Sequence, residues 1–308
     1  MLILPKIYHP TPSSFAKSHL NWSEKSRLFQ QSTMGFLGRL KFFAKSVVFG
    51  SLIAACALYG VFASIVLRII GKGEYAQYTV ARAFYYSMRA LLGIKITIKN
   101  EHYLKEMPSV VVANHQSALD IFILGRVFLP GYTVTAKKAL KYVPFLGWFM
   151  MASGTFFLDR AKGDKARKVL EAALVSLKKE KRSIFMFPEG TRSATKKLEM
   201  GPFKKGAFHL AKQADIPVVP VAVSNYSHIF QSQDKVFNRG EIIIEVLKPM
   251  PTSSLATNED VTKFAYNVSE KMLQSIETMG YAPAYGDTRV ETSPTQSDVS
   301  DVSVEIVD

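Results

Sequence analysis

The chain has 308 residues, 48% hydrophobic and 21% charged, which excludes a polar disordered chain and suits a globular protein with apolar surface to spare. Lysine and arginine outnumber acids 39 to 25, a net charge of +14 that calls for an anionic partner: nucleic acid, anionic lipid or a phosphorylated substrate. The single cysteine, Cys56, excludes an internal disulfide framework and a cysteine-based metal site within one chain.

Residues 1–33, with Pro5, Pro10, Pro12 and a single acid, Glu24, read as a separate and disordered extension. A basic, acid-poor targeting segment is the alternative. Next, Val47–Leu67 runs for 21 residues without a charge, and about 20 apolar residues suffice to cross the hydrocarbon core. This run predicts a transmembrane or membrane-embedded helix, with a buried core helix as the alternative, and it favours lipid over nucleic acid as the anionic partner. Arg39, Lys41 and Lys45 precede it and Arg68 and Lys72 follow, so charge leaves its orientation open. Tyr75–Leu92 is helical in pattern, with Val80, Phe84, Met88 and Leu91 on one face. It either forms a membrane hairpin with the first helix or packs on the domain that follows. Residues 34–93 are therefore expected to anchor the chain.

From Ile94 strands and helices alternate. Expected strands are Ile94–Ile98, Val110–Ala113, Thr133–Ala136, Thr155–Leu158, Ile184–Phe187, Val218–Val223 and Ile242–Leu247. Helical patterns fall at Ala118–Val127, Lys165–Lys179, Lys204–Gln213 and Glu259–Thr278. The alternation predicts an α/β domain over residues 94–286, its mostly parallel sheet flanked by helices. Residues 287–308 hold six acids and one arginine and are expected to form a disordered acidic tail.

Asn114-His115-Gln116-Ser117-Ala118-Leu119-Asp120 directly follows an apolar strand, where α/β folds place their ligands. His115 can accept a proton from a hydroxyl near neutral pH, and Asp120 can hold its other ring nitrogen. Residues five apart do not share a face of a regular helix. The pair meets only if His115 sits in the loop and Asp120 in the first helical turn, as the Ser117/Asp120 capping-box spacing suggests. The same spacing allows Asp120 to be a plain cap. No G-x-S-x-G or H-x-x-x-H pattern accompanies the histidine, so direct attack by a substrate hydroxyl is the simpler scheme.

Phe187-Pro188-Glu189-Gly190-Thr191-Arg192-Ser193 follows another strand. Gly190 permits a tight turn, Arg192 offers a planar fork that fits phosphate, and Thr191 adds a hydroxyl. Glu189 is expected to hold Arg192 or a glycerol hydroxyl; a plain surface turn is the alternative. Arg160, ending Gly154–Arg160, and Lys137, after Thr133–Ala136, put two further cations at strand ends. The apolar stretch Tyr142–Met151, too short to span a bilayer, reads as a core helix or an interfacial element.

Taken in order, the N-H-x-x-x-x-D block at Asn114–Asp120, the strand Gly154–Arg160, the F-P-E-G-T-R block at Phe187–Arg192 and the proline-bearing strand Val218–Val223 resemble the 1-acyl-glycerol-3-phosphate (lysophosphatidic acid) acyltransferases of the glycerolipid acyltransferase superfamily. The resemblance covers roughly residues 40–285, and the stretches at Thr133–Met150 and Pro202–Val221 resemble fungal members. Gln116 stands where glycerol-3-phosphate acyltransferases usually carry arginine. Ile121 stands where cardiolipin-remodelling relatives carry a second aspartate. The resemblance implies that His115 deprotonates the sn-2 hydroxyl of lysophosphatidate while Asp120 orients it. Arg192, with Arg160 or Lys137, would then hold the phosphate, and Glu189, Gly190 and Thr191 would place the glycerol. It implies acyl-CoA as co-substrate, no metal or prosthetic group, a lipid membrane as partner, no nucleic acid, and the endoplasmic reticulum or lipid droplets as location. Acylation of another lysophospholipid or of glycerol-3-phosphate, and a non-catalytic lipid-binding protein, are the alternatives.

Overall fold

The computed structural model describes residues 22–158 and 179–285, the isolated positions Val169, Ala173 and Val175, and the pair Ile306–Val307. Helix α1 spans Trp22–Ile69 and α2 spans Ala76–Leu92. Six further elements follow: β1 (Ile94–Lys99), β2 (Val110–Ala113), α3 (Asp120–Val127), β3 (Tyr132–Lys137), α4 (Leu146–Ala152) and β4 (Phe156–Leu158). The chain continues through β5 (Ser183–Met186), β6 (Phe203–Lys204), α5 (Gly206–Ala214), β7 (Val218–Val223), β8 (Phe230–Gln231) and β9 (Val236–Phe237). It ends in β10 (Arg239–Val246), α6 (Asn258–Met279), β11 (Ala284–Tyr285) and β12 (Ile306–Val307).

The main sheet has the order β1-β10-β7-β2-β5-β3-β4, with β11 on β10. Strands β7, β2, β5, β3 and β4 are mutually parallel, while β10 runs antiparallel to β7 and carries β1 parallel to itself. The five parallel strands therefore deliver their carboxyl ends to one edge. Their residues alternate between two apolar layers: Val111 and Ala113 of β2 join Phe84, Phe122 and Ile123 on one face. Val110 and Val112 join Phe208, Leu210, Val268 and Met272 from α5 and α6 on the other. Both faces are covered, which is why β2 and β7 read as continuous apolar runs.

Helix α1 starts at Trp22, so the expected boundary at residues 33/34 is not where the helix begins. The physical reason is local: no proline or glycine lies between Trp22 and Gly35 to break it. Its Gly35–Ile69 portion is long and apolar enough to cross a membrane. It also packs on the domain along much of that length. Phe42 stacks on Phe230, and Lys45 Nζ donates to the carbonyl of Phe237 (2.9 Å). Gly60 lies so close to Phe149 and Val80 that a Cβ there would stand 2.5 Å from the Phe149 ring. Arg68 Nη2 donates to the carbonyl of Ala152 (2.9 Å). The opposite face leaves Leu58, Tyr59, Phe62, Ile65 and Ile69 exposed.

Helix α2 is a helix of the domain: Val80, Phe84, Tyr85 and Met88 are buried, Tyr85 stacks on Phe122, and Arg82 caps the end of α3 through the carbonyl of Arg126 (2.6 Å). The helix expected at Lys165–Lys179 falls mostly outside the described residues. So does the acidic tail, apart from Ile306–Val307, which pair in parallel with Phe203–Lys204.

Candidate active site

Three loops meet beyond the carboxyl ends of β2, β5 and β7. Asn114 ties the first to the last. Its side chain donates to the carbonyl of Val223 (3.0 Å) and accepts from the Val223 amide (2.8 Å), continuing the β2–β7 ladder by one side-chain step. Gln116, 5% exposed, donates to the carbonyls of Val223 and Ser224 and accepts from the Tyr226 amide. The loop after β5 closes on the same segment, where Ser193 N donates to the carbonyl of His115 (2.8 Å) and Ala194 N to that of Gln116 (3.1 Å).

At the centre, His115 Nδ1 lies 2.7 Å from Asp120 Oδ2. That oxygen also accepts the amides of Gln116 (2.8 Å) and Ser117 (2.9 Å). An oxygen receiving two N–H groups acts as acceptor, so Nδ1 carries the proton and Nε2 keeps its lone pair. The imidazole plane is held by Phe187, stacked at 4.0 Å and 17°. Asp120 is the first residue of α3 and 2% exposed. Half of the expected capping box forms: Asp120 accepts from Ser117 N, while Ser117 Oγ accepts from Leu119 N (3.0 Å) in place of Asp120 N. The i, i+5 pair meets because the loop from His115 to Leu119 folds back over the carboxylate instead of winding as helix.

Glu189 takes a position the sequence did not indicate. Its Oε1 accepts the His115 amide (2.6 Å) and its Oε2 the Gly201 amide (2.8 Å), with 4% of the residue exposed. The carboxylate thus clamps two backbone segments, where a hold on Arg192 or on a glycerol hydroxyl was expected. Burial pushes its pKa up to about 7 against the pull of those two amides, and the charge of Asp120 adds to the rise. A carboxyl that binds its proton more tightly when folded contributes stability that is fully present below its unfolded value, about 4.3, and lost as pH rises through about 7. The melting temperature of the wild-type chain is therefore expected to fall more steeply between pH 5 and pH 7.5 than that of Glu189→Gln, which cannot titrate. Parallel thermal melts across this range check it, and equal slopes would refute it.

Gly190 follows at φ +71°, a left-handed turn that favours glycine. A Cβ there would meet the Lys204 side chain at 3.1 Å. Lys204, whose amide donates to the Pro188 carbonyl (2.9 Å), is thus a basic neighbour of the turn that the sequence reading passed over. Thr191 and Arg192 are exposed, and among the described residues no ion pair holds Arg192. Lys137 is exposed at the end of β3, two strands from β2 on the same edge. Arg160 lies outside the described residues. Tyr226 was missed altogether. It sits just past β7, 1% exposed, with its hydroxyl 2.6 Å from Asp120 Oδ1. Among the described residues no group of three or more His, Cys, Asp or Glu side chains is placed to hold a metal ion.

Residues 95–224 match the family model described as Acyltransferase. The chain is 50% identical over 255 residues to the 1-acyl-sn-glycerol-3-phosphate acyltransferase of Saccharomyces cerevisiae, covering 83% of this chain and 84% of the relative. It is 35% identical over 196 residues to the human 1-acyl-sn-glycerol-3-phosphate acyltransferase alpha, covering 63% of this chain and 68% of that one. The crystal structure of the 1-acyl-sn-glycerophosphate acyltransferase PlsC from Thermotoga maritima shares the fold, with a TM-score of 0.62 at 22% identity over 80% of this chain and 97% of that one. Half the aligned residues shared with the yeast protein, along most of both chains, is decisive, and the chain belongs to the 1-acyl-sn-glycerol-3-phosphate acyltransferase family.

Proposed function

We propose that the chain transfers a fatty acyl group from acyl-CoA to the sn-2 hydroxyl of 1-acyl-sn-glycerol 3-phosphate, giving phosphatidate. The observation that carries this reading is the buried Asp120 carboxylate gripping His115 Nδ1 at 2.7 Å, which leaves Nε2 as the base. Nε2 accepts the hydroxyl proton as the oxygen attacks the thioester carbonyl carbon. The imidazolium so formed is stabilised by Asp120. The C–S bond then breaks, and the departing thiolate of coenzyme A takes the proton back from Nε2. The ester oxygen, the acyl group and the proton are all accounted for, and the step calls on no metal or prosthetic group.

Arg192, Thr191 and Gly190, on the loop tied to the His115 carbonyl, would receive the acceptor's phosphate and glycerol, with Lys137 and Lys204 as further cations and Arg160 as a candidate outside the described residues. The clamp by Glu189 keeps this loop in register with the base. The exposed apolar face of α1 and, on and before α4 beside it, exposed Tyr142, Phe145 and Trp148 suit a bilayer surface. The family resemblance points to the endoplasmic reticulum or lipid droplets as that surface.

The test uses membranes carrying the full chain, washed at high pH, and given labelled acyl-CoA with a panel of lysophospholipids and glycerol 3-phosphate. Label is expected in phosphatidate when lysophosphatidate is the acceptor, with the activity retained in the pellet. Label in another phospholipid, or activity washed into the supernatant, would replace the acceptor or the anchoring, respectively.

A further inference from the structure

Asp120 has two oxygens, and their surroundings differ. Oδ2 is crowded by the His115 ring and two backbone amides. Oδ1 faces the other way, and the donor given to it among the described residues is the hydroxyl of Tyr226 at 2.6 Å. The Tyr226 oxygen is in turn 2.9 Å from Ser117 Oγ. Since Ser117 Oγ already accepts from Leu119 N and Tyr226 gives its proton to the carboxylate, the serine proton points to the tyrosine oxygen. The result is a directed chain, Ser117 to Tyr226 to Asp120 to His115, with Tyr226 1% and Asp120 2% exposed. Bonds aligned in this way polarise one another in a dry interior.

We infer that Tyr226 is a positioning residue for the catalytic pair: its hydroxyl fixes the carboxylate that holds His115 and draws charge from that carboxylate. The inference rests on the His115 mechanism above. Without that hydroxyl Oδ1 would lose its donor in a buried site, and the carboxylate would keep more of its charge for His115 Nδ1. It would also be a stronger base. Burial and the Asp120 charge hold the Tyr226 proton firmly in place, so the group stays a donor across the working pH range. The tyrosine is placed by the same loop crossing that ties β7 to the histidine loop, since Gln116 Oε1 accepts its amide. The loop after β7 thus reaches the base through the carboxylate.

Tyr226→Phe keeps the ring and removes the donor. Among the described residues, the titratable groups bonded to the His115–Asp120 pair from other elements are Glu189 from the loop after β5 and Tyr226 from the loop after β7. Without the tyrosine's pull, Asp120 holds the imidazolium more strongly, so the acid limb of the kcat/KM profile is expected to move to higher pH. The plateau kcat is expected to change by less than about tenfold, the worth of one hydrogen bond to a charged group, with both KM values little changed. Ser117→Ala, which removes the donor behind Tyr226, is expected to shift the limb in the same direction by less. An unmoved limb in both variants, or a kcat loss that only follows a lower melting temperature, would overturn the positioning role. If Tyr226→Phe does not fold, the Ser117→Ala profile decides alone. Activity surviving in His115→Ala would instead bring down the mechanism itself, so the two failures are told apart.

Discussion

Replacing His115 by alanine is expected to lower kcat by about 10²- to 10⁴-fold while the melting temperature and membrane retention stay near wild type. The ring is only partly buried, at 16% side-chain exposure, and its packing partner is the Phe187 ring. The backbone of residue 115 carries the structural duties: its amide goes to Glu189 and its carbonyl to Ser193, and alanine keeps both. Chemistry and folding are therefore separable at this position. At Asp120 they are not. Asp120→Ala would leave the Gln116 and Ser117 amides without their acceptor and the Tyr226 hydroxyl without the carboxylate it donates to, and is expected to destabilise the loop as well as the reaction. Asp120→Asn is the cleaner partner experiment. Its carbonyl oxygen can still accept His115 Nδ1 and the two amides, if the amino group turns to Tyr226 and the tyrosine hydroxyl becomes the acceptor. What is lost is the charge that stabilises the imidazolium, so kcat should drop substantially, though less than in His115→Ala. Measuring kcat and melting temperature on the same purified variants checks both. A stable His115→Ala enzyme with near-normal turnover would remove the proposed base.

The continuous apolar runs made the sheet legible, because β2 and β7 are buried on both faces and have no polar position to blur them, and β5 has only Ser183. Strand polarity was less so. That β10 reverses direction beside β7 is decided by the connection through β8 and β9, two-residue strands that carry no periodic signal. The lengthening of α1 back to Trp22 was missed because the polar stretch before Gly35 has no apolar period, although it has no helix breaker either.

At the site, His115 and Asp120 could be read from spacing and chain position, since both lie on one short loop. Glu189 could not. An acid next to glycine and arginine suggests an ion pair, and only the fold reveals that two backbone amides, one of them 74 residues away in sequence, converge on it. Tyr226 lies 106 residues from Asp120, and its one sequence cue is a tyrosine just past a buried strand. Long-range satisfaction of buried polar groups is the part of this site that a linear reading does not reach.

Arg192→Ala is expected to raise the apparent KM for lysophosphatidate by about 10- to 150-fold, the worth of a charge-assisted bidentate contact of roughly 1.5–3 kcal/mol. The fold narrows the reasons such a change could appear. Had Arg192 been the partner of Glu189, its loss would cost stability first. Instead Glu189 is committed to the amides of His115 and Gly201, and Arg192 is exposed on the loop whose next residue, Ser193, is bound to the His115 carbonyl. Its removal should thus leave the melting temperature in place. Arg192→Lys should recover only part of the affinity, because an ammonium lacks the planar fork that meets two phosphate oxygens. The KM for acyl-CoA should change less, the phosphates of coenzyme A being served elsewhere on the basic surface. If the two KM effects are exchanged, Arg192 serves coenzyme A. If neither KM moves in a stable Arg192→Ala enzyme, the acceptor phosphate is held by Lys204 over Gly190, by Lys137 at the end of β3, or by Arg160. The same pair of titrations on those three variants then finds the one whose loss raises the lysophosphatidate KM alone.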